Sequence, residues 1–193
     1  MRPEKDEELC KKYPILYSQR DRSMMDTCMC WGFECRDGWF SIIDWLSETL
    51  EGINNEILDD QKRQYKLSKR LGAVGGLFLG FSMGSIFFSH TPLVPILAAI
   101  ASIILVWKAT RLFVKAKDRH FIVAEQVKEK FGTLRFYIGP VEADYYDLVY
   151  EWIDVAEVRS GTTCEACGKT GKTRNGGWTV TLCDECHEKK HRS

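Results

Sequence analysis

No HExxH helix, P-loop, GxSxG elbow or dinucleotide fingerprint occurs in this sequence, and its four histidines are scattered. The constellations that would activate a water, cradle a phosphate or hold a nicotinamide are missing, so the expectation is a protein that is not an enzyme. Net charge is missing too, with 27 Lys and Arg against 27 Asp and Glu, and the overall balance gives no case for a polyanion binder. A cleavable signal peptide is not expected, because the opening MRPEKDEELCKKY is too densely charged for one. Without secretion the eight cysteines would stay reduced, and reduced thiols point to metal rather than to disulfides.

Charge is absent altogether from Leu71 to Phe88, an eighteen-residue run that as a helix reaches about 27 Å, close to a bilayer's hydrocarbon thickness. After a turn at Ser89 to Pro92, a second apolar run extends from Leu93 to Trp107. It continues past Lys108 and Arg111, whose long stems let the charges snorkel to the headgroups. Neither run has the polar face of a soluble helix. Residues 71–114 are therefore expected to form a transmembrane helical hairpin. Its flanks are basic: Lys62, Arg63, Lys66, Lys69 and Arg70 on one side, Lys108, Arg111, Lys115 and Lys117 on the other. The turn around His90 has no Lys or Arg, so both termini are expected in the cytoplasm and the turn outside. The juxtamembrane bases make anionic membrane lipid a partner. Gly72, Gly76, Gly80 and Gly84 recur every four residues, along one side of the first helix, where a second backbone can approach closely. That backbone is either the second arm, through Ala98, Ala101 and Ser102, or the same helix of another copy in a homo-oligomer.

The soluble pieces on either side are each small for a self-sufficient core, so they should dock together or be stapled by metal. Residues 4–18 suggest a short helix interrupted by Pro14. From Phe40, the apolar residues Ile43, Leu46, Leu50, Ile53 and Ile57 repeat at helical spacing, a helix that continues into the membrane or resumes after Asn54 and Asn55. Residues 121–127 and 133–138 read as a β-hairpin about Gly132, the second strand alternating Leu134, Phe136 and Ile138 with polar neighbours. Residues 142–159 read as an amphipathic helix burying Tyr145, Leu148, Val149, Trp152, Ile153 and Ala156.

One chemical signature is specific. Cys164-x2-Cys167 and Cys183-x2-Cys186 are two knuckles whose four thiolates would wrap a tetrahedral Zn²⁺. Four protein ligands leave no open position, so the site is expected to be structural. Cys10, Cys28, Cys30 and Cys35 would make a second four-thiol set, although their spacing follows no common zinc pattern. Around the ribbon Lys169, Lys172, Arg174, Lys189, Lys190 and Arg192 only slightly outnumber the acids, a weak nucleic-acid patch.

Three stretches, TCMCWGFECRDGWFSIIDWL at 27–46, VAEQVKEKFGTLRFY at 123–137, and RSGTTCEACG with GGWTVTLCDEC within 159–186, resemble a family of small uncharacterised phage and prophage proteins. The resemblance implies that the soluble parts fold as one domain with the hairpin as an insertion, and it supplies no catalytic residues. The expected fold is thus an α+β membrane protein: a transmembrane helical hairpin plus a small cytoplasmic domain of helices and a β-hairpin, ending in a zinc ribbon. Its segments are 1–70, 71–114, 115–160 (packed on 1–70) and 161–193. The expected function is a non-enzymatic phage accessory protein acting on an unidentified protein partner at the host inner membrane, in superinfection exclusion or host-defence interference. A zinc-ribbon nucleic-acid tether and an oligomeric, holin-like pore are the alternatives.

Overall fold

A computed structural model of the chain describes residues 1–86, 93–175 and 177–192. The chain divides into a discontinuous unit, Met1–Asn55 with His120–Ser193, and a contiguous one, Glu56–Arg119.

In the discontinuous unit, α1 (Pro3–Lys12) ends before Pro14, whose ring cannot be accommodated inside a helix. A 3₁₀ turn at Cys28–Trp31 leads to β1 (Phe33–Glu34), and a second one at Asp37–Trp39 leads to α2 (Phe40–Ile86). The helix runs through Asn54 and Asn55 without a break. β2 (Ala124–Lys130) pairs antiparallel with β3 (Thr133–Ile138), and β1 adds in parallel to make a sheet of order β1-β2-β3. The β1 strand lies inside the cysteine and aromatic cluster, where alternation over two residues is too short to read from sequence. β2 begins at Ala124 rather than at 121, because residues 122 and 124 are engaged elsewhere: Ile122 with Asn54 and the Ala124 N–H with the Leu16 carbonyl at 2.8 Å.

α2 carries two stripes. The apolar one buries Ile42, Ile43, Leu46, Leu50 and Ile53. Beside it Asp44, Ser47, Glu51 and Asn54, spaced three and four apart, form a polar ladder. Asp44 accepts from the Tyr13 hydroxyl at 2.7 Å, and Ser47 shares a 2.5 Å hydrogen bond with Tyr17. The Glu51 carboxylate accepts the backbone N–H groups of Ile15 and Leu16 at 2.9 and 2.8 Å. Asn54 accepts from the Ile122 N–H at 2.8 Å and donates to the Ile122 carbonyl at 2.9 Å. Buried backbone groups with no strand partner thus find one on a helix side chain.

α4 (Tyr146–Ser160) follows a 3₁₀ turn and buries Val149, Ile153, Ala156 and Ser160. The stripe is narrower than its sequence suggests, and Leu148 is exposed. Trp152 is half-buried edge-on to Trp45, ring centroids 5.5 Å apart. Ser160 accepts from the Leu134 N–H at 2.8 Å, and Glu157 from the Phe136 N–H at 3.2 Å, which fixes the helix on β3.

The contiguous unit pairs α2 from residue 56 onward with α3 (Leu93–Lys117). Gln61 donates to the Ala116 carbonyl at 2.8 Å, the Tyr65 and Phe113 rings stand 5.9 Å apart, and the Ser102 hydroxyl donates to the Gly75 carbonyl at 2.7 Å. Asp60 pairs with Arg119. The contacts therefore run antiparallel, 61 against 116, 65 against 113, 72 against 109, and 75 against 106 and 102, and residues 61, 65, 68, 72 and 75 follow the alternating steps of four and three of a heptad seam. Pairing on both sides of the apolar stretch is why the unit spans 56–119 rather than 71–114. The seam is made of small residues, with Ser68, Ser102, Ala109 and Ala116 buried.

Two sequence expectations change here. Against α3 the close-packed glycine is Gly75, which lies outside the expected stripe: it is buried, and a Cβ there would lie 3.0 Å from Val106 Cγ2. Gly72 would meet Ala109 Cβ at 4.0 Å, Gly76 faces open space, and the packing of Gly80 and Gly84 lies outside the described residues. A step of exactly four drifts around a 3.6-residue helix, whereas 68, 72 and 75 stay on one side. The second change concerns the pair of spans. Among the described residues one segment, Ile96–Lys117, is long and apolar enough to cross a membrane. The expected first span runs beyond Ile86, and with the turn at His90 it lies in part outside the described residues. The flanking bases sit on both helices, with Lys69 over the Tyr65 ring and Arg111 over the Trp107 ring, each at 4.6 Å.

Gly75→Leu should overpack this seam and destabilise the detergent-solubilised protein by about 1–3 kcal/mol, while Gly76→Leu should change stability by less than about 0.5 kcal/mol. Thermal unfolding followed by circular dichroism compares the two. Equal losses would contradict the seam.

Candidate metal centre

The described residues from 160 onward fold around two tight turns. β4 (Lys172–Arg174) and β5 (Val180–Leu182) pair antiparallel, and α5 (Asp184–Arg192) follows directly. In the first knuckle the Gly168 N–H donates to the Cys164 carbonyl at 2.8 Å, with Gly168 at φ +79°, a conformation that favours glycine. The second knuckle is a helix start, with Cys183 just before α5 and Cys186 in its first turn. The His187 N–H donates to the Cys183 carbonyl at 3.0 Å. Val180 and Leu182 pack beneath the sulfurs.

These turns bring Cys164, Cys167, Cys183 and Cys186 together, all four Sγ atoms within 4.8 Å of one another. The Cys167 and Cys183 sulfurs are 3.6 Å apart, too far for a disulfide. A tetrahedral ion with metal–sulfur bonds of about 2.3 Å sets its sulfurs about 3.8 Å apart, so the four thiols could hold a metal ion. Their acidities fit as well. Burial raises the Cys164 thiol, but backbone N–H groups of Cys183, Cys167 and Ala166 outweigh it and bring the group down to about 7. Cys186 is pushed up to about 12 by burial and by the neighbouring sulfurs of Cys183, Cys167 and Cys164. One thiolate forms readily and opposes the next, a conflict that a dication between them removes.

The centre is built into the domain rather than appended to it. The Gly38 N–H donates to the Glu165 carbonyl at 2.7 Å, the Arg36 N–H to the Glu165 carboxylate at 3.1 Å, and the Trp39 indole to the Thr163 carbonyl at 2.8 Å. A Cβ on Gly38 would stand 2.6 Å from both the Glu165 oxygen and the Gly168 nitrogen, and would collide with the Cys164 carbonyl. Thr181 donates to the Gly132 carbonyl at 2.6 Å, which joins β5 to the β2–β3 turn. Gly38 reads from sequence as an ordinary turn residue. No spacing rule links position 38 to position 164, so its role at the centre has no local signal.

Cys10, Cys28, Cys30 and Cys35 do not assemble into a comparable group among the described residues. The Cys10 thiol donates to Asp6 Oδ1 at 3.5 Å and that of Cys30 to the Thr27 carbonyl at 3.1 Å, while Cys28 is exposed and Cys35 buried. Two residues apart in a 3₁₀ turn, Cys28 and Cys30 point in different directions. Burial pushes Cys10 and Cys35 up to about 12, with Asp6 adding to the effect at Cys10. Three of the ribbon's bases have acidic neighbours: Lys169 pairs with Glu185 at 3.0 Å, Lys172 with Asp184 at 3.1 Å, and Arg174 also with Asp184.

Serine at any one of Cys164, Cys167, Cys183 or Cys186 should lower bound metal from about one ion per chain to near none, whereas serine at Cys10, Cys28, Cys30 or Cys35 should leave it unchanged. Elemental analysis of the purified protein reads both. Iodoacetamide at pH 8 should modify exposed Cys28 long before Cys10 and Cys35, of which only about one in ten thousand is thiolate at that pH. Raising the pH toward 12 should close the gap, and peptide mass mapping follows the order. Comparison with known protein families, with curated proteins and with solved structures finds no match for this chain.

Proposed function

We propose that the chain is a membrane-anchored, zinc-binding phage or prophage accessory protein that acts by protein interaction at the host inner membrane, in superinfection exclusion or host-defence interference. The observation that carries the anchor is the inverted packing of residues 56–119. In Ile96–Lys117 only Ser102, Ala109 and Ala116 are buried. Leu97, Ile103 and Trp107 are 60 %, 64 % and 54 % exposed, while Ser102 and Ala109 are buried. A soluble core helix would bury those aliphatics, at roughly 25 cal/mol per Å² removed from water. Small residues inside and aliphatics outside is the arrangement that favours helix pairs in lipid. The bases at one end of both helices favour two cytoplasmic termini.

Four soft thiolate donors favour Zn²⁺ over harder ions, and with four protein ligands the ion would staple the fold. Protein interaction is favoured over a nucleic-acid tether, because Lys169, Lys172, Arg174, Lys189, Lys190 and Arg192 only slightly outnumber the acids of the ribbon. The phage assignment rests on the resemblance of residues 27–46, 123–137 and 159–186.

Expressed in bacteria, the full chain should sediment with membranes and resist alkaline carbonate. A chain lacking residues 71–114 should move to the supernatant with its zinc and lose protection against superinfection. Carbonate-soluble full-length protein, or full protection from the deleted form, would overturn the proposal.

A further inference from the structure

We infer that the hairpin holds one anionic phospholipid between α2 and α3, with its phosphate at Lys62 and Lys117 and its glycerol end against Tyr65 and Phe113. The inference deepens the membrane-anchor reading and rests on it. A cavity of about 310 Å³ opens between the two helices, lined by Gln61, Lys62, Tyr65, Phe113, Ala116 and Lys117. Its floor is closed by the Gln61 to Ala116 hydrogen bond of 2.8 Å. Tyr65 and Phe113 form one wall at 5.9 Å and 40°, and their rings remain 41 % and 46 % exposed. Lys62 of α2 and Lys117 of α3 contribute one lysine side chain from each helix to its lining.

Charge selects the occupant. From residue 61 to residue 117 the sequence has nine Lys and Arg and no Asp or Glu, so the field around the cavity favours an anion. Lys62 does pair with Asp59, at 3.2 Å, but those side chains are 59 % and 71 % exposed. A contact so solvated is weak and yields to a phosphate. The rings decide between a free anion and a lipid. Inorganic phosphate would use the ammonium groups and leave two half-exposed aromatic faces in water, whereas a phospholipid covers both. The cavity also sits at the basic end of an apolar hairpin, between helices, where headgroups of anionic lipids are bound.

Native mass spectrometry of the full chain in a neutral detergent tests this, because no charged surface is present to attract the lysines generally. Phosphatidylglycerol should be retained at one molecule per chain, with phosphatidylcholine and inorganic phosphate not retained. Lys62→Ala/Lys117→Ala should weaken retention by about fivefold per lysine, and Tyr65→Ala should weaken it further. Lys108→Ala/Lys115→Ala, with the same loss of charge outside the cavity, should leave retention unchanged. Equal losses from both double variants, equal retention of phosphatidylcholine, or binding of phosphate alone would overturn the lipid site. Carbonate extraction of the same variants keeps the two readings apart. A chain that resists carbonate yet shows no preference for phosphatidylglycerol loses the site and keeps the anchor, and a chain extracted by carbonate loses both.

Discussion

Glu51 and Asn54, one turn apart on α2, bind the backbone of two segments that lie far apart in sequence, residues 15–16 and residue 122. Each buried N–H or carbonyl left without a partner costs about 1–3 kcal/mol, so these side chains determine where both segments can lie. Once residue 122 is bracketed by Asn54, Ala124 meets Leu16 and β2 is started in register beside β1. The sheet then receives α4 through Ser160 and Glu157. The first cysteine knuckle closes the same unit just before the start of α2, through Gly38 and Trp39. A unit whose two parts are separated by residues 56–119 is thereby tied at both ends of one helical stretch.

The two units follow opposite packing rules. Around the sheet, Trp39, Leu46, Val127, Leu134 and Val149 are buried, with polar groups satisfied beside them. Among the described residues of the apolar helix pair Ser68, Gly75, Ser102 and Ala109 face inward, and Leu97, Ile103 and Trp107 face outward. Water favours the first arrangement and hydrocarbon the second. That contrast within one chain is the physical basis of the anchor reading. It also gives the cysteines different settings: four converge at turns designed by glycine and helix starts, and four are dispersed in the first fifty residues.

Much of the candidate site was legible because it is local. A CxxC knuckle dictates its own turn, so two of them at suitable separation identify Cys164, Cys167, Cys183 and Cys186 without knowledge of the fold. The apolar period of α2 and the alternation in β3 were legible for the same reason. What was not legible depends on long-range partners. Gly38 matters because the backbone of residues 164–168 passes against it, and Asn54 because a distant strand begins there. Gly75 was overlooked because a four-residue repeat is conspicuous in sequence, whereas the alternation of three and four that stays on one helix face is not. The N-terminal cysteines mislead because composition suggests ligands where the backbone separates them.

The central claim, that the outward aliphatic face of α3 lies in lipid, is tested most directly at Ile100, which is 49 % exposed. Ile100→Cys should stay unmodified at position 100 by a membrane-impermeant maleimide in inside-out membrane vesicles, as read by peptide mass mapping, and become modified there when the membranes are dissolved in denaturant. Rapid labelling of position 100 in the vesicles, at the rate of a water-exposed thiol such as Cys28, would contradict the account.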